Sequence, residues 1–505
     1  MLKIIKNTFK HSIIYSLGNI GIKIVGLILI PIYTNPEYLT TNAYGAFALL
    51  ESIMTIITGI LPLSMGQSLT RWYWDEDNRE YQKKLFFKSF IFLTFIQFIF
   101  ILVAFPFAGQ LSQLIFQSSE YTYVVKLTLL SGVLTVLIQQ AMHLAKVQQK
   151  SAFFSITNIF RLIVTFVLVL IFVIRKKRGL EGIWEAQLIS TVATLFILLP
   201  YIIRNMKISI RFPELRSMLK FGFPFTISAT AGIILVFTDK YLLNIFDGLE
   251  QTAIYSLGYR ISNTIKIIVA TSISFAIAPI RMKMISNPTS YRFFAKNLTY
   301  IAFVMMIFVL LISLFSLEGI KLFTGSTVYW KANNIVPILS MAIYFGILKD
   351  FSSESMLILK KTKYMSLFVY LTGILNIILN YLLIPLMDIY GAALSTLVSQ
   401  LFLWLAIYTH SQRLLYIPYE ITKIIKIIVT GCMIMLINLS ISDFSLAFRM
   451  VSKVALFISF PVILYWLHFY EEIELKTLKT IYNTWKSPNS IKENLTRLIN
   501  NNKND

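Results

Sequence analysis

The segment YMSLFVYLTGILNIILNYLLIPLM, Tyr364–Met387, decides the fold class of this chain. It contains no charged residue, and it is longer than the roughly 20 apolar residues that a helix needs to cross a bilayer. Ser89–Ser119 is a second uncharged stretch. Of the 505 residues, 56% are hydrophobic and only 14% are charged, whereas a soluble domain carries about 25% charged residues. The sequence therefore predicts an all-α polytopic membrane protein.

Apolar segments of this length recur along most of the chain. They lack the alternation over about ten residues that is typical of a transmembrane β-barrel strand. We predict about 14 transmembrane helices, each of the length that a bilayer requires. The predicted spans are 12–33, 44–67, 88–107, 123–143, 152–174, 183–203, 219–243, 252–280, 297–317, 335–358, 364–386, 391–410, 423–441 and 448–470.

A faint internal repeat divides these spans into two halves. The motif AYGAF echoes IYSLG, which aligns Tyr44 with Tyr255, and GIWEAQLIS echoes GAALSTLVS, which aligns Gly182 with Gly391. The two offsets, 211 and 209 residues, nearly agree, and an even number of spans per repeat gives both halves the same orientation. We therefore predict two six-helix bundles, two extra helices and a cytoplasmic tail that is first amphipathic and then disordered, with bounds 1–215, 216–412, 413–470 and 471–505.

Most of the 46 Lys and Arg residues lie in every second loop. Such an asymmetry marks the cytoplasmic loops of membrane proteins and predicts that both termini lie inside. It also accounts for the formal charge of +22 without nucleic acid as a partner. One loop departs from the rule, the basic run at 175–178 on the predicted outer side. Either this loop contacts anionic lipid or substrate, or the span count is wrong near it.

The sequence lacks the motifs of several enzyme classes. It contains no GxxxxGK[ST] nucleotide-binding loop, no GxSxG and no HExxH. The single cysteine, Cys432, excludes an internal disulfide and a cysteine metal cluster. All loops between the predicted spans are short, which leaves no room for an extramembrane catalytic domain. We therefore expect a protein that is not an enzyme and holds no metal cluster.

Charged residues inside the predicted spans indicate what the interior binds. A charge at bilayer depth costs about 2.5–3.5 kcal/mol, so such side chains usually face a polar interior. Converging Lys and Arg side chains would stabilise phosphate or pyrophosphate in a cavity, since Arg grips it with two hydrogen bonds and Lys acts as a point charge. The basic residues assigned to this cavity are Lys23, Arg161, Arg260, Lys266 and Lys349.

Acidic residues in the same spans are assigned to coupling or gating. Glu51, Asp350 and Glu354 would keep the empty cavity neutral or bind a coupling cation, and the last two, four residues apart, are predicted to share a helix face. The alternative for all these charges is structural, namely internal salt bridges or side chains that reach an interface. For Lys126 and Lys240, which lie near span ends, the structural interpretation is preferred.

Two segments resemble the polysaccharide flippases of the multidrug/oligosaccharidyl-lipid/polysaccharide exporter superfamily, in particular bacterial O-antigen and capsule repeat-unit translocases. The first, GNIGIKIVGLILIPIYTNPEYLTTNAYGAFALLESI, has a basic residue in span 1, a Pro and Tyr-Thr at its exit, a short acidic loop and then Tyr-Gly. The second, KFGFPFTISATAGIILVFTDKYLLNIFDGLEQTAIYSLGYRIS, carries Gly222, Pro224 and the pair Asp239–Lys240, where the family often has Asp-Arg.

The resemblance implies alternating access in a bacterial inner membrane. The implied cargo is an undecaprenyl-diphosphate-linked oligosaccharide, moved to the periplasmic leaflet for O-antigen or other surface polysaccharide. Lys23, Arg161, Arg260 and Lys266 would engage its pyrophosphate or acidic sugars, and Asp239 would join the coupling residues. The resemblance implies no bound cofactor and leaves Na+ or H+ coupling open. Expected partners are the lipid-linked cargo, membrane lipids, and a polysaccharide polymerase with its chain-length regulator.

Three other functions stay open. A cation-coupled multidrug efflux pump of the same superfamily is the nearest alternative, although a basic cavity would repel cationic drugs. A polysaccharide polymerase or ligase is a membrane enzyme that usually needs a sizeable outer loop, and this sequence has only short ones. A flippase for the peptidoglycan precursor cannot be separated from the leading function by sequence.

Overall fold

The computed structural model shows a helical membrane protein. It describes residues 26, 28–209, 213–270, 273, 277, 284, 291–359, 361, 363–441 and 444–476. These residues contain no β-strand. Nine of the described helices are long and apolar enough to cross a membrane, or eleven if each of two bent helix pairs is one span. The prediction of an all-α polytopic membrane protein is confirmed.

The first half of the chain forms a series of long helices. A single turn, Ile30–Tyr33, precedes them, and a π-helical turn, Leu170–Arg175, extends the sixth. The helices are α1 Thr41–Ile60, α2 Met65–Trp72, α3 Arg79–Ala104, α4 Ala108–Phe116, α5 Thr122–Val147, α6 Ser151–Val169 and α7 Gly179–Arg204.

The second half contains two much longer helical segments. A π-helical turn, Ile265–Ala270, follows the first of them, and a 3-10 helix, Thr327–Asn334, lies between two later helices. The helices are α8 Pro213–Thr264, α9 Tyr291–Phe323, α10 Val336–Ser352, α11 Glu354–Ile358, α12 Lys363–Leu414, α13 Ile421–Leu439 and α14 Leu446–Trp466.

Both α8 and α12 are hairpins of two helices. Each has 52 residues, and each backbone breaks at one position with positive φ, Gly248 at 83° and Asp388 at 48°. Across the first break the Tyr255 hydroxyl reaches the Asp239 carboxylate at 2.8 Å, so the chain doubles back. The two arms of α8 correspond to the predicted spans 219–243 and 252–280, and those of α12 to 364–386 and 391–410. The predicted span 12–33 lies mostly outside the described residues, so the total of fourteen stays a prediction.

The glycines of the sequence repeat lie just after such turns. Gly179 (φ 51°) and Asp388 (φ 48°) each come three residues before a repeat glycine. A Cβ at Gly391 would lie 2.3 Å from the Leu383 carbonyl oxygen, and a Cβ at Gly182 would lie 3.1 Å from the Phe172 Cβ. The repeat therefore marks two tight helical hairpins. The division into two bundles stays a prediction.

The predicted span 335–358 is not one continuous helix. It is broken between α10 and α11, because the hydroxyl of Ser353 bonds the Asp350 carbonyl at 2.9 Å and competes with the helical backbone. As a result Asp350 is half-exposed, whereas Glu354 is 1% exposed. The two carboxylates thus lie on successive helices and differ in exposure, and the shared face stays a prediction.

Ion clusters attach the last two helices to α9. In the Glu318 cluster, that α9 carboxylate accepts from Arg449 Nε at 2.7 Å and from Lys453 Nζ at 2.8 Å, both on α14. At the opposite end of α9, the Glu471 cluster joins α9, the start of α13 and the segment after α14. Its members are Lys296, Glu420, Lys423 and Glu471.

The two halves of the chain are in contact near both ends of the helices. On one side, the Gly325 N–H donates to Thr34 Oγ1 at 3.3 Å, and a Cβ at Gly325 would lie 2.8 Å from the Asn35 Cα. On the other side, Ser68 Oγ on α2 donates to the Met218 carbonyl on α8 at 2.7 Å. The space between these contacts contains the candidate site.

Candidate functional site

A cavity of about 620 Å³ lies between α1, α6, α7 and α8. Much of its lining is apolar and aromatic, as is usual for a ligand pocket. The charged side chains in the described lining are Glu51, Arg161, Lys240 and Arg260. Three of these are basic and one is acidic, so positive charge exceeds negative charge among them.

Arg260 and Glu51 form an ion pair across the cavity wall. Nη2 of Arg260 on α8 bonds Oε2 of Glu51 on α1, and Nη1 donates to the Gly26 carbonyl at 3.3 Å. The guanidinium also lies 5.5 Å from the ring centre of Phe47, within cation–π range. The Glu51 side chain is 41% exposed and that of Arg260 is 18% exposed. The pair holds Arg260 in place and leaves part of the carboxylate open to the cavity.

Arg161 is held by hydroxyl groups rather than by a carboxylate. Its Nη2 donates to Thr135 Oγ1 on α5 at 2.9 Å and to Thr191 Oγ1 on α7 at 3.0 Å. No acidic side chain pairs with it in the part of the chain that the structure describes. The side chain is therefore oriented by neutral groups, and its positive charge is left to interact with whatever enters the cavity.

Lys240 is a second basic residue with no carboxylate within ion-pair distance among the described residues, although Glu51 and Asp239 lie near enough to interact with its charge. Its Nζ lies 3.3 Å from Ser52 Oγ and 3.4 Å from the Ala48 carbonyl, and the residue is 8% exposed. The helix continues beyond Lys240 to the break at Gly248, and the residue lines the cavity, while the structural interpretation of its role stays a prediction. Sequence analysis missed this cavity residue. The signal was the adjacent charged pair Asp239–Lys240 in an apolar helix.

Asp239 points away from the cavity lining into a buried polar network. Its Oδ1 accepts from the amides of Asn376 at 3.0 Å and Asn380 at 2.7 Å. Its Oδ2 accepts from the hydroxyls of Thr396 at 2.6 Å and Tyr255 at 2.8 Å. The network joins the first and second arms of the α8 hairpin to both arms of the α12 hairpin. A carboxylate so enclosed can gain or lose a proton or a cation only with a rearrangement of these helices.

The sequence profile of a family described as polysaccharide biosynthesis protein matches residues 8–285, more than half of the chain. This protein belongs to that family. None of the curated protein sequences compared with the chain matches it.

Solved structures show the same fold for this polysaccharide biosynthesis protein. Lipid II flippase MurJ in its inward closed conformation aligns with a TM-score of 0.71 at 16% identity, covering 91% of this chain and 100% of that chain. An inward-facing multidrug resistance MATE family transporter of the MOP superfamily aligns with a TM-score of 0.60 at 15% identity, covering 80% and 94%. A MOP superfamily transporter from Pyrococcus furiosus, titled for the reverse polarity of its binding pocket, has a TM-score of 0.59 at 15% identity and covers 80% and 95%.

The other predicted site residues lie elsewhere in this family member. Lys349 pairs with the adjacent Asp350 at 2.7 Å, and neither they nor Glu354 line the cavity. Lys266 is exposed on the π-helical turn after α8, next to Ile267, which does line it. Lys23 lies outside the described residues. The structure thus brings Glu51, Arg161 and Arg260 together, and it adds Lys240.

The described residues offer no cluster of three or more His, Cys, Asp or Glu side chains that could hold a metal ion. Among the described residues, Asp239 is the only acidic member of its network. Its partners are amide and hydroxyl groups, whose oxygen atoms suit a hard cation but supply no further negative charge.

Proposed function

We propose that this protein is a flippase that moves undecaprenyl-diphosphate-linked oligosaccharide from the cytoplasmic to the periplasmic leaflet of a bacterial inner membrane. The observation that carries the proposal is the pair Arg161 and Lys240, a half-buried and a buried basic side chain on one cavity, whose hydrogen bonds all go to neutral groups. Buried charges are usually paired, because an unpaired one costs several kcal/mol. A negatively charged cargo would supply the missing partner.

A diphosphate suits these two side chains better than a carboxylate or a neutral sugar would. The Arg161 guanidinium can bond two oxygen atoms of one phosphate, and the Lys240 ammonium acts as a point charge for the other. Arg260 is already paired with Glu51, so it would contribute by exchanging that partner for cargo. Membership in a polysaccharide biosynthesis family supports an oligosaccharide carrier as the source of the diphosphate.

The size of the cavity limits what it accepts. About 620 Å³ accommodates a ligand of drug size, such as the diphosphate and the first sugars, but not a polyprenyl chain as well. The lipid tail would therefore remain in the bilayer beside the protein while the head group passes through. The aromatic rings of Trp184 and Tyr259 in the lining offer flat apolar surfaces to the sugars.

Asp239 is the residue that we assign to coupling. It precedes Lys240 in the same helix, so any movement caused by binding a proton or Na+ at the carboxylate would also move the cavity lysine. Rotation of the Asn376 and Asn380 amides by 180° would turn their oxygens toward the bound cation. The test is to compare transport by wild type and Asp239→Asn in proteoliposomes with an imposed Na+ gradient and, separately, a pH gradient.

Deletion of the gene, followed by complementation, tests the whole proposal. Surface polysaccharide and undecaprenyl-linked repeat units are measured together in cells carrying wild type, Arg161→Gln or the exposed control Arg71→Gln. Loss of surface polymer with repeat units retained on the cytoplasmic leaflet, rescued by wild type and Arg71→Gln but not by Arg161→Gln, is the expected result. Normal surface polysaccharide in the deletion strain would refute the proposal.

The same strains and the purified protein distinguish the proposed function from the three alternative functions. Altered drug tolerance with unchanged surface glycan would assign the protein to multidrug efflux, the activity named for the MATE transporters that share its fold. Accumulation of the peptidoglycan precursor instead of repeat units would assign it the cargo named for MurJ. Purified protein that lengthened lipid-linked chains in vitro would identify a polymerase.

A further inference from the structure

A second cavity lies at one end of the helices of the first half of the chain, apart from the central one. It measures about 410 Å³ and lies where α2, α5 and α7 end and α3 begins. It shares no lining residue with the central cavity. By the distribution of Lys and Arg along the chain, this is the cytoplasmic side.

Three basic side chains converge on this cavity, Arg79, Lys83 and Lys150. None of them has a carboxylate within ion-pair distance among the described residues, and Asp77 is the one acidic residue in the lining. Burial and the nearby Arg79 guanidinium both lower the pKa of Lys150, which is the effect expected when like charges are held together without a counter-ion.

The neighbouring basic residues behave differently. Lys84 and Lys207 both pair with Glu80, at 2.6 Å and 2.9 Å, and Arg71 pairs with Asp75 at 2.8 Å. Carboxylates are therefore within reach on this surface, yet they neutralise the residues outside the cavity. The positive charge that remains is concentrated at the cavity itself.

The other walls of the cavity carry a network of polar side chains. Gln148 donates to the Tyr73 hydroxyl at 2.8 Å and to Asn205 Oδ1 at 2.9 Å, and it accepts from the Tyr201 hydroxyl at 2.9 Å. Lys150 lies 4.9 Å from the centre of the Tyr201 ring. This network joins the ends of α2, α5 and α7, so the basic residues surround a preformed pocket.

We propose that this pocket binds a phosphate group at the cytoplasmic face of the membrane. Three unpaired cations in a partly enclosed site match the charge and the oxygen acceptors of a phosphate. The phosphate belongs either to the head group of an anionic phospholipid, which basic pockets at this face of a membrane bind, or to a soluble phosphorylated molecule. The site goes beyond the proposed flippase activity, because it lies outside the central cavity.

The test uses the full chain in phosphatidylcholine nanodiscs and measures the thermal unfolding midpoint. One arm adds inorganic phosphate in solution, and the other replaces part of the lipid with phosphatidylglycerol. Wild type is compared with Arg79→Gln/Lys150→Gln, which removes two cavity charges, and with Arg71→Gln/Lys84→Gln, which removes two paired charges outside it. All four positions are at or near the surface, so both variants should fold.

We expect at least one probe to raise the midpoint of wild type and of the control variant. The cavity variant should need at least about tenfold more of that probe for the same rise, since it loses two charge-assisted contacts. A response to phosphatidylglycerol alone identifies a lipid head group, and a response to inorganic phosphate alone identifies a soluble ligand. No response to either probe, or an equal response in both variants, would overturn the proposal, whatever the transport assays show.

Discussion

The central cavity and the Glu318 cluster contain the same kinds of residue in opposite circumstances. In the cluster, Arg449 and Lys453 share one carboxylate and are almost fully buried. In the cavity, Arg161 and Lys240 contact hydroxyl and carbonyl oxygens only, in the part of the chain that is described. A basic residue in an apolar helix therefore does not by itself indicate transport. What distinguishes the two regions is whether the protein supplies the opposite charge.

The largest expected effect is on stability, at the cluster. Glu318→Gln removes the carboxylate that Arg449 and Lys453 both contact, and it should lower the free energy of unfolding by about 3–5 kcal/mol. Denaturant unfolding of the purified protein in detergent measures it. A double variant that also carries Lys453→Met should recover part of the loss, because an apolar side chain then replaces the buried ammonium that Glu318 had paired. If Glu318→Gln were as stable as wild type, the proposed contrast between the cluster and the cavity would be refuted.

The next effect is on transport, at Arg161. Arg161→Gln should reduce transport of the lipid-linked cargo by at least about tenfold, since a charge-assisted contact to phosphate is lost. Its unfolding free energy should change by less than about 1.5 kcal/mol, because glutamine can still bond one of the two threonine hydroxyls. Proteoliposome transport and unfolding are measured on the same preparation. Arg161→Lys, which retains the charge, should keep part of the activity; if it is as inactive as Arg161→Gln, the charge is not what matters.

Replacing Lys240 should have a smaller effect on stability, opposite in sign to that of Glu318→Gln. Lys240→Met should leave stability unchanged or raise it by about 1 kcal/mol, since it removes a buried charge that has no carboxylate within ion-pair distance among the described residues. The same variant should transport poorly. The unfolding midpoint and the transport rate of Lys240→Met, each compared with wild type, test the two expectations. A clear loss of stability would mean that Lys240 is a structural residue, like those of the Glu318 cluster.

The smallest effect concerns the Glu471 cluster and pH. Hydrogen bonds from Lys296 and Lys423 lower the pKa of Glu471 from 4.5 to about 2. Because the folded-state pKa is depressed, the stabilisation is present above pH 4.5 and is lost as the pH falls toward about 2. The Glu471 side chain is 37% exposed, so solvent screens the pairing and the effect should be below about 1 kcal/mol. The difference in unfolding midpoint between wild type and Glu471→Gln should shrink over that range; a constant difference would contradict the pairing.

Local sequence was enough for the fold class and for the presence of charges within helices. Uncharged runs such as Tyr364–Met387 have one physical interpretation, because water-soluble folds rarely bury so long a stretch. The partners of the charges could not be predicted. Arg260 and Glu51 are 209 residues apart, and their pairing depends on how distant helices pack. For the same reason Asn376 and Asn380, neutral residues inside that uncharged run, gave no sign that they surround a carboxylate.

The contact at Gly325 has a consequence for timing. Because a Cβ there would lie 2.8 Å from the Asn35 Cα, the absence of a side chain sets how closely the two segments approach on that face. Each 1.4 kcal/mol that separates a closed from an opened arrangement changes the ratio of their lifetimes about tenfold. Gly325 does not line the central cavity. In the proposed flippase cycle, this contact would nonetheless set how long the interior stays accessible from one side of the membrane, and so how often a cycle is completed.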